Sequence, residues 1–224
     1  MSAREAILKK VRGALNASAG DAERAAAVGE RLAKAPKGII PARGQLPRAG
    51  RIELFCTMAK KLSATVERVD GKDAVPKAVA AYLRQRNLPA ALRMGEDDRL
   101  TGMPWDSERS LQVKYGPSDG NDEVGLAHAT AAVAETGTLV MTSGNGNPTS
   151  INFLPEHHLV VVDADDIDGD LEAALGRIRT GYGKGKMPRT VNLISGPSRS
   201  ADIEQKIILG AHGPRALHVI VVGE

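Results

Sequence analysis

The sequence contains a single cysteine and very few aromatic residues. Cys56, alone among 224 residues, excludes an intrachain disulfide, and one thiolate cannot hold an iron–sulfur cluster, which usually takes about four. No CxxC pair and no neighbouring histidine accompany it, so nothing marks a redox-active thiol. Cys56 reads instead as a small buried hydrophobe in a helix over residues 51–62. With one Trp, three Tyr and two Phe, the core must be built from Ala, Val, Leu and Ile. The same shortage leaves little material for the stacking platforms of single-strand nucleic-acid binders. No apolar run approaches the roughly 20 residues of a membrane span. The segment after Met1 turns amphipathic at once and lacks the apolar centre of a signal peptide. The expectation is a cytoplasmic protein with no nucleic-acid partner and no membrane span.

What is present is ordinary for a globular domain: 42% hydrophobic and 25% charged residues, with a net charge of +3. Acids and bases are interspersed, which reads as a solvated surface. A chain of this length buries about 70% of the surface it exposes when unfolded, so it needs neither disulfide nor metal staple.

Two amphipathic helices are expected first. Residues 3–16 carry Ile7, Val11 and Leu15 at helical spacing. Residues 21–35 place Ala25, Val28 and Leu32 on one stripe behind Asp21 as N-cap. Residues 36–50 hold three prolines and three glycines and read as an extended arm without helix. The expected organisation is therefore a helical annex and arm over 1–50 and a main domain over 51–224.

In the main domain, helix and strand patterns alternate. Helix is expected at 51–62 with Phe55, Met58 and Leu62 inward, at 73–87 with Pro76 in the first turn, and at 123–133. Short strands are expected at 65–69, 90–94 and 111–115, with Trp105 in the loop before the last. Four compact, β-branched runs follow at 138–141, 159–162, 191–194 and 217–222, with helices expected at 171–179 and 201–209. Nearly continuous apolar strands are those covered on both faces. The fold class is therefore α/β, with a three-layer, mainly parallel sheet.

Three polar turns attract functional attention. In Ser195-Gly196-Pro197-Ser198-Arg199-Ser200, a strand ends and a helix is expected to begin, with Ser198 or Ser200 as N-cap and Asp202 and Glu204 in its first turn. The structural role is a capped helix. The functional one is a phosphate or carboxylate held by free N–H groups, hydroxyls and the Arg199 guanidinium, beyond the carboxyl ends of the strands where open α/β sheets bind ligands. Glu135-Thr136-Gly137-Thr138 joins an expected helix to a strand, with Gly137 as a positive-φ C-cap. Glu135 is the one candidate catalytic group, as base or nucleophile. The loop from Thr142 to Ser150, with Asn147 and Thr149, is either a surface turn or a ligand contact. Residues 181–186 read as a mobile basic loop without phosphate-loop spacing. None of His128, His157, His158, His212 and His218 sits in a metal-binding pattern, so no metal is expected. His218 reads as a core group and His212 as part of a turn near the strand ends.

Taken together, Ala134-Glu135-Thr136-Gly137-Thr138, Leu154-Pro155-Glu156-His157-His158-Leu159, the stretch from Ile194 to Glu204, and Gly210-Ala211-His212-Gly213-Pro214 running into Leu217-His218-Val219 resemble the LutC-type lactate-utilization proteins of the LUD-domain family. The resemblance implies a fold like that of the NagB/RpiA/CoA-transferase group. It also implies a part in oxidising L-lactate to pyruvate beside iron–sulfur partner proteins. This chain would bring no cofactor of its own, the clusters residing in those partners. Many members carry arginines where this chain has Asn147-Pro148-Thr149, which counts against an arginine-based anion site in that loop. A small carboxylate would then meet Thr136, Gly137, Thr138, Ser195, Gly196, Ser198, Arg199, Asp202 and His212. The alternatives are a stand-alone CoA-transferase-like or phosphate-ligand enzyme using Glu135, and a regulatory or scaffold subunit.

Overall fold

The computed structural model describes residues 2–18, 20–34, 36–200 and 208–223 and divides into two units, Met1–Ile39 and Ile40–Glu224. The first holds two helices where the periodicity places them. α1 (Ala3–Ala14) begins in a capping box: Ser2 Oγ accepts from Glu5 N–H at 3.2 Å and Glu5 Oε2 accepts from Ser2 N–H at 2.7 Å. Two donors that a helix start leaves open are thereby satisfied. Asp21 satisfies one such donor before α2 (Ala22–Lys34), accepting from Arg24 N–H at 3.0 Å.

In the second unit, the proline-rich segment is less extended than its composition implies. Ala42–Gly44 forms a 3₁₀ turn, and α3 (Arg48–Lys61) starts directly after Pro47. A proline just outside a helix removes no helical hydrogen bond, so it ends the arm without delaying the helix. α3 buries Ile52, Phe55, Cys56 and Ala59, an i, i+3, i+4, i+7 stripe. Met58 and Leu62, expected inward, are only half-buried.

The chain then alternates through β1 (Thr65–Val69), α4 (Val75–Gln85, with Pro76 in its first turn), β2 (Ala91–Met94), α5 (Asp98–Thr101) and β3 (Gln112–Tyr115). Residues 123–133, expected as helix, are instead two strands, β4 (Val124–His128) and β5 (Ala131–Val133). Every residue of both is buried, so no alternation betrays the strand period. The alanine-rich composition favours helix on local propensity alone. Packing decides the matter: a β-carbon on Gly125 would lie 2.7 Å from Ile151 O and 2.9 Å from Pro155 Cγ.

The remaining elements are β6 (Thr138–Thr142), α6 (Thr149–Phe153), β7 (His157–Asp163), β8 (Ile167–Asp168), α7 (Leu171–Tyr182), β9 (Val191–Ile194), β10 (Arg199–Ser200), β11 (Ile208–Leu209) and β12 (Ala216–Val222). Six strands form one sheet in the order β1-β12-β7-β4-β2-β3, and each neighbouring pair is parallel. The α/β class and the mainly parallel sheet are as expected. Two of the four apolar runs, β6 and β9, lie elsewhere, in a second sheet ordered β8-β5-β6-β9. The turn between β5 and β6 is too short for a parallel crossover, which takes about a dozen residues. These two strands therefore pair antiparallel.

Residue alternation sorts the core into layers. Leu126, Leu159, Val161 and Ile220 pack with Val79, Tyr82 and Leu83 of α4 on one face of the large sheet. Ala127, Val160, Val219 and Val221 pack on the other face with Phe55 of α3 and Leu139 of the small sheet. The outer face of the small sheet, Val133 and Val140, packs on Ala174 and Ile178 of α7. A fourth layer is thus added to the three expected.

Gly137 ties the small sheet to α3. Its φ is +66°, and a β-carbon there would lie 2.5 Å from Ala59 N and 2.7 Å from Met58 C. Gly137→Ala should lower stability by about 2–5 kcal/mol, from left-handed strain plus overpacking. Gly144→Ala, where nothing lies within 4 Å of the added carbon, should change it by no more than about 0.5 kcal/mol. Urea unfolding of the two variants checks both values.

Candidate functional site

The turn after β9 leads into a short strand. Arg199 and Ser200 form β10 and pair antiparallel with Leu209 and Ile208 of β11, so Ser198 caps no helix. The expected helix over 201–209 is contradicted at its end by β11. Residues 201–207, with Asp202 and Glu204, lie outside the described residues. Among the described residues, several N–H groups around this turn are already committed. Ser198 N–H donates to Pro214 O at 2.8 Å and Gly210 N–H to Ser198 O at 3.0 Å. His212 N–H donates to Ser198 Oγ at 3.3 Å.

Gly196 and Arg199 instead anchor this turn on the carboxyl end of α3. Gly196 has φ +84° and approaches Leu62 O so closely that a β-carbon would sit 2.3 Å from it. Arg199 Nη2 donates to the same carbonyl, a favourable position for a cation beside the open carbonyls of a helix end.

Between this turn, α6 and the first residues of β7 and β12 lies a cavity of about 270 Å³, whose walls include Asn152, His158, Ser195, Ser198, Arg199 and His212. It opens at the amino ends of these two strands, opposite to the edge where open α/β sheets usually bind ligands. Asn152 and His158 are each only 1% exposed. Neither amide atom of Asn152 nor Nε2 of His158 has a hydrogen-bond partner among the described residues. Such buried orphans cost free energy unless something else satisfies them. Burial alone pushes the His158 pKa down to about 3, so the ring enters the cavity neutral. Ser195 is held from behind: its Oγ lies 2.7 Å from Thr138 Oγ1, which lies 2.7 Å from Thr136 Oγ1.

The structure therefore brings together Thr136, Thr138, Ser195, Gly196, Ser198, Arg199 and His212, and separates the rest. Gly137 turns away onto α3. Glu135 is absent from the cavity wall. It is buried in the β5–β6 turn with Oε2 3.6 Å from Arg43 Nε, an ion pair too long for a hydrogen bond. Its turn follows a strand, so Gly137 is a hairpin residue and not a helix C-cap. Thr149 begins α6.

Asn147 belongs to a second, smaller cavity of about 140 Å³ at the carboxyl edge of the large sheet, beside Asp97, Arg99, His128 and Thr130. There Arg99 Nε and Nη2 grip Asp97 at 3.0 and 2.7 Å, and Nη1 donates to Ala129 O at 3.1 Å. Burial, then the Arg99 charge, lowers the His128 pKa. Sequence reasoning missed Asn152 and His158 as site residues, although Leu154-Pro155-Glu156-His157-His158 had been singled out as a motif. Asp97, Arg99 and His128 left no signal, being far apart in sequence. No group of three or more His, Cys, Asp or Glu among the described residues is placed to hold a metal.

The sequence model of the LUD domain matches residues 52–222, which spans all of the large sheet, the small sheet and both cavities. The chain belongs to the LUD domain family. It is similar to lactate utilization protein C of Shouchella clausii, 35% identical over 100 residues that cover 44% of each chain. The same named protein of Geobacillus thermodenitrificans is 37% identical over 53% of this chain and 49% of its own. That of Bacillus subtilis is 31% identical over 52% and 49%. The matches thus span about half the length of these relatives or less. Among solved structures, a DUF162 family protein from Deinococcus radiodurans superimposes with a TM-score of 0.61, covering 80% of this chain and 99% of that one at 21% identity. That similarity carries the fold.

The buried histidines give this LUD domain a defined pH response. His158 and His218 have folded-state pKa values of about 3 and about 4, both lowered chiefly by burial from an ordinary 6.5. The unfolded chain therefore takes up protons below pH 6.5 that the folded chain refuses. Stability is complete above that value and is lost as the pH falls toward 4. Between pH 7 and pH 5 each histidine should remove about 2 kcal/mol. Urea unfolding at the two pH values measures the loss, and a His158→Leu variant should show it reduced by about 2 kcal/mol; equal stability at both would contradict these ionisations.

Proposed function

We propose that this chain is a subunit of an L-lactate utilization system that oxidises L-lactate to pyruvate in the cytoplasm, acting with iron–sulfur partner proteins and contributing no cluster itself. The observation that carries this reading is its similarity to proteins named lactate utilization protein C. The chemistry of the chain is compatible with it. Its one thiol, Cys56, is buried and its pKa is raised by that burial, the opposite of what a metal-ligating thiolate needs. No helix among the described residues is long and apolar enough to cross a membrane.

Within this reading the cavity at the amino edge receives a small carboxylate. Asn152 offers both a donor and an acceptor, Ser195 and Ser198 offer hydroxyls, and Arg199 supplies positive charge at the mouth. Such a site orients a small anion by a few placed polar groups on an otherwise apolar wall, here Phe153, Leu193 and Leu217.

A second reading rests on Glu135. Its buried Oε2, 3.6 Å from Arg43 Nε and without a hydrogen-bond partner among the described residues, fits a carboxylate nucleophile toward an acyl-CoA. Incubation with a panel of acyl-CoA thioesters would then give a covalent adduct by mass spectrometry, abolished in Glu135→Gln.

The main proposal predicts that the tagged chain co-purifies with cysteine-rich iron–sulfur proteins from lactate-grown cells, and that its deletion stops growth on L-lactate but not on glucose. An Asn152→Leu, Arg199→Lys double substitution should fail to restore that growth while accumulating as folded protein. Normal growth of the deletion strain on lactate would refute the proposal.

A further inference from the structure

The small cavity at the carboxyl edge is left out of the lactate reading, and its hydrogen-bond inventory is lopsided. Ala129 O lies 2.8 Å from His128 Nδ1. A carbonyl can only accept, so Nδ1 carries the proton and Nε2 presents a bare lone pair. That Nε2 is buried and has no hydrogen-bond partner among the described residues. It faces Asp163 Oδ2, another acceptor, at 3.7 Å. Asn147 repeats the pattern. Its Nδ2 donates to Thr142 O at 3.1 Å, which fixes the amide orientation and leaves Oδ1 as a buried acceptor with no hydrogen-bond partner among the described residues. Both residues share the walls of one cavity. Two buried acceptors on two different elements, both without donors among the described residues, call for a ligand that donates.

The donors available nearby are directed elsewhere. Arg99 commits three N–H groups to Asp97 and Ala129 O, and the rest of its fork remains for an anionic group. Thr130 and Thr142 hydroxyls are bonded to each other at 2.7 Å. The cavity, at about 140 Å³, is well below the few hundred Å³ that drug-sized ligands occupy, so only a molecule of few atoms enters. One hydroxyl has a single proton to give, whereas an ammonium group has several; the nearby acids are already paired, Asp97 with Arg99 and Asp163 with Lys72 at 3.7 Å.

We propose that this cavity binds a small 2-amino acid in its zwitterionic form, its ammonium group donating to His128 Nε2 and Asn147 Oδ1 and its carboxylate lying against Arg99. The site is separate from the amino-edge cavity, and its ligand is neither lactate nor pyruvate. It gives the chain a means of sensing the amino counterparts of small 2-hydroxy and 2-oxo acids. It stands whether or not the lactate assignment does.

L-Alanine is the probe, with L-lactate as the counterpart that replaces the ammonium by a hydroxyl. Calorimetric titration of the full chain should show one L-alanine site, weakened about tenfold or more in Asn147→Leu, as expected for loss of a hydrogen bond to a charged donor, and unchanged in Arg199→Lys. Nitrogen NMR of the unsubstituted chain gives a second readout that does not depend on a variant folding. The His128 Nε2 resonance should move from the bare toward the hydrogen-bonded position with L-alanine and stay in place with L-lactate. No L-alanine binding, binding indifferent to Asn147→Leu, or an equal His128 response to L-lactate would each overturn the proposal. The first would mean that ordered water satisfies these acceptors.

Discussion

A fully parallel sheet must be covered on both faces, because its crossovers leave no side for water, and the rest of this molecule follows from that constraint. α4 covers one face with Val79, Tyr82 and Leu83. The other face is wider than α3 alone can cover. The small sheet completes it through Ala132, Leu139 and Met141. That sheet then needs a cover of its own, which α7 supplies. With so few aromatics, the fit depends on small residues and close backbone approach. Gly125 under α6, Gly137 against α3, and Gly44 against Gly169 all sit where a side chain would collide.

Stacking a second sheet on the first also creates the two edges at which polar groups collect. At the amino edge, the turns leaving β9 and entering β12 close over the starts of β7 and β12. They enclose the Asn152 amide and His158 Nε2, which have no hydrogen-bond partner among the described residues. At the carboxyl edge, His128 ends β4 while the loop after β6 brings in Asn147. The two cavities differ in chemistry. The amino-edge one mixes a free amide, hydroxyls and a cation, which suits an anion; the carboxyl-edge one is dominated by acceptors, which suits a donor.

Much of the fold was legible in the sequence, and the failures have definite causes. β1, β7 and β12 were readable because a short β-branched run between turns allows little else. Residues 123–133 were misread because full burial erases alternation and alanine favours helix. The segment after Pro197 looked like a helix start from its serines and acids, but Ser198 and Arg199 spend their hydrogen bonds on a hairpin and on Leu62 O. Of the site, Ser195, Ser198, Arg199 and His212 were found from one polar turn and its neighbour. His158 was hidden because a histidine leading into an apolar strand resembles any core histidine. Asn152 was hidden because an asparagine inside a short helix carries no pattern. Glu135 was legible as unusual, yet its surroundings are Arg43 and Gly169 and not the cavity.

The central claim is that the amino-edge cavity, built around the Asn152 amide and His158 Nε2, neither with a hydrogen-bond partner among the described residues, is where a small carboxylate sits. A crystal structure of the full chain soaked with L-lactate tests it most directly. The account predicts ligand density within hydrogen-bonding distance of Asn152 and beside Ser195 and His158. A cavity filled only by ordered water at saturating L-lactate, or lactate density confined to another part of the surface, would contradict it.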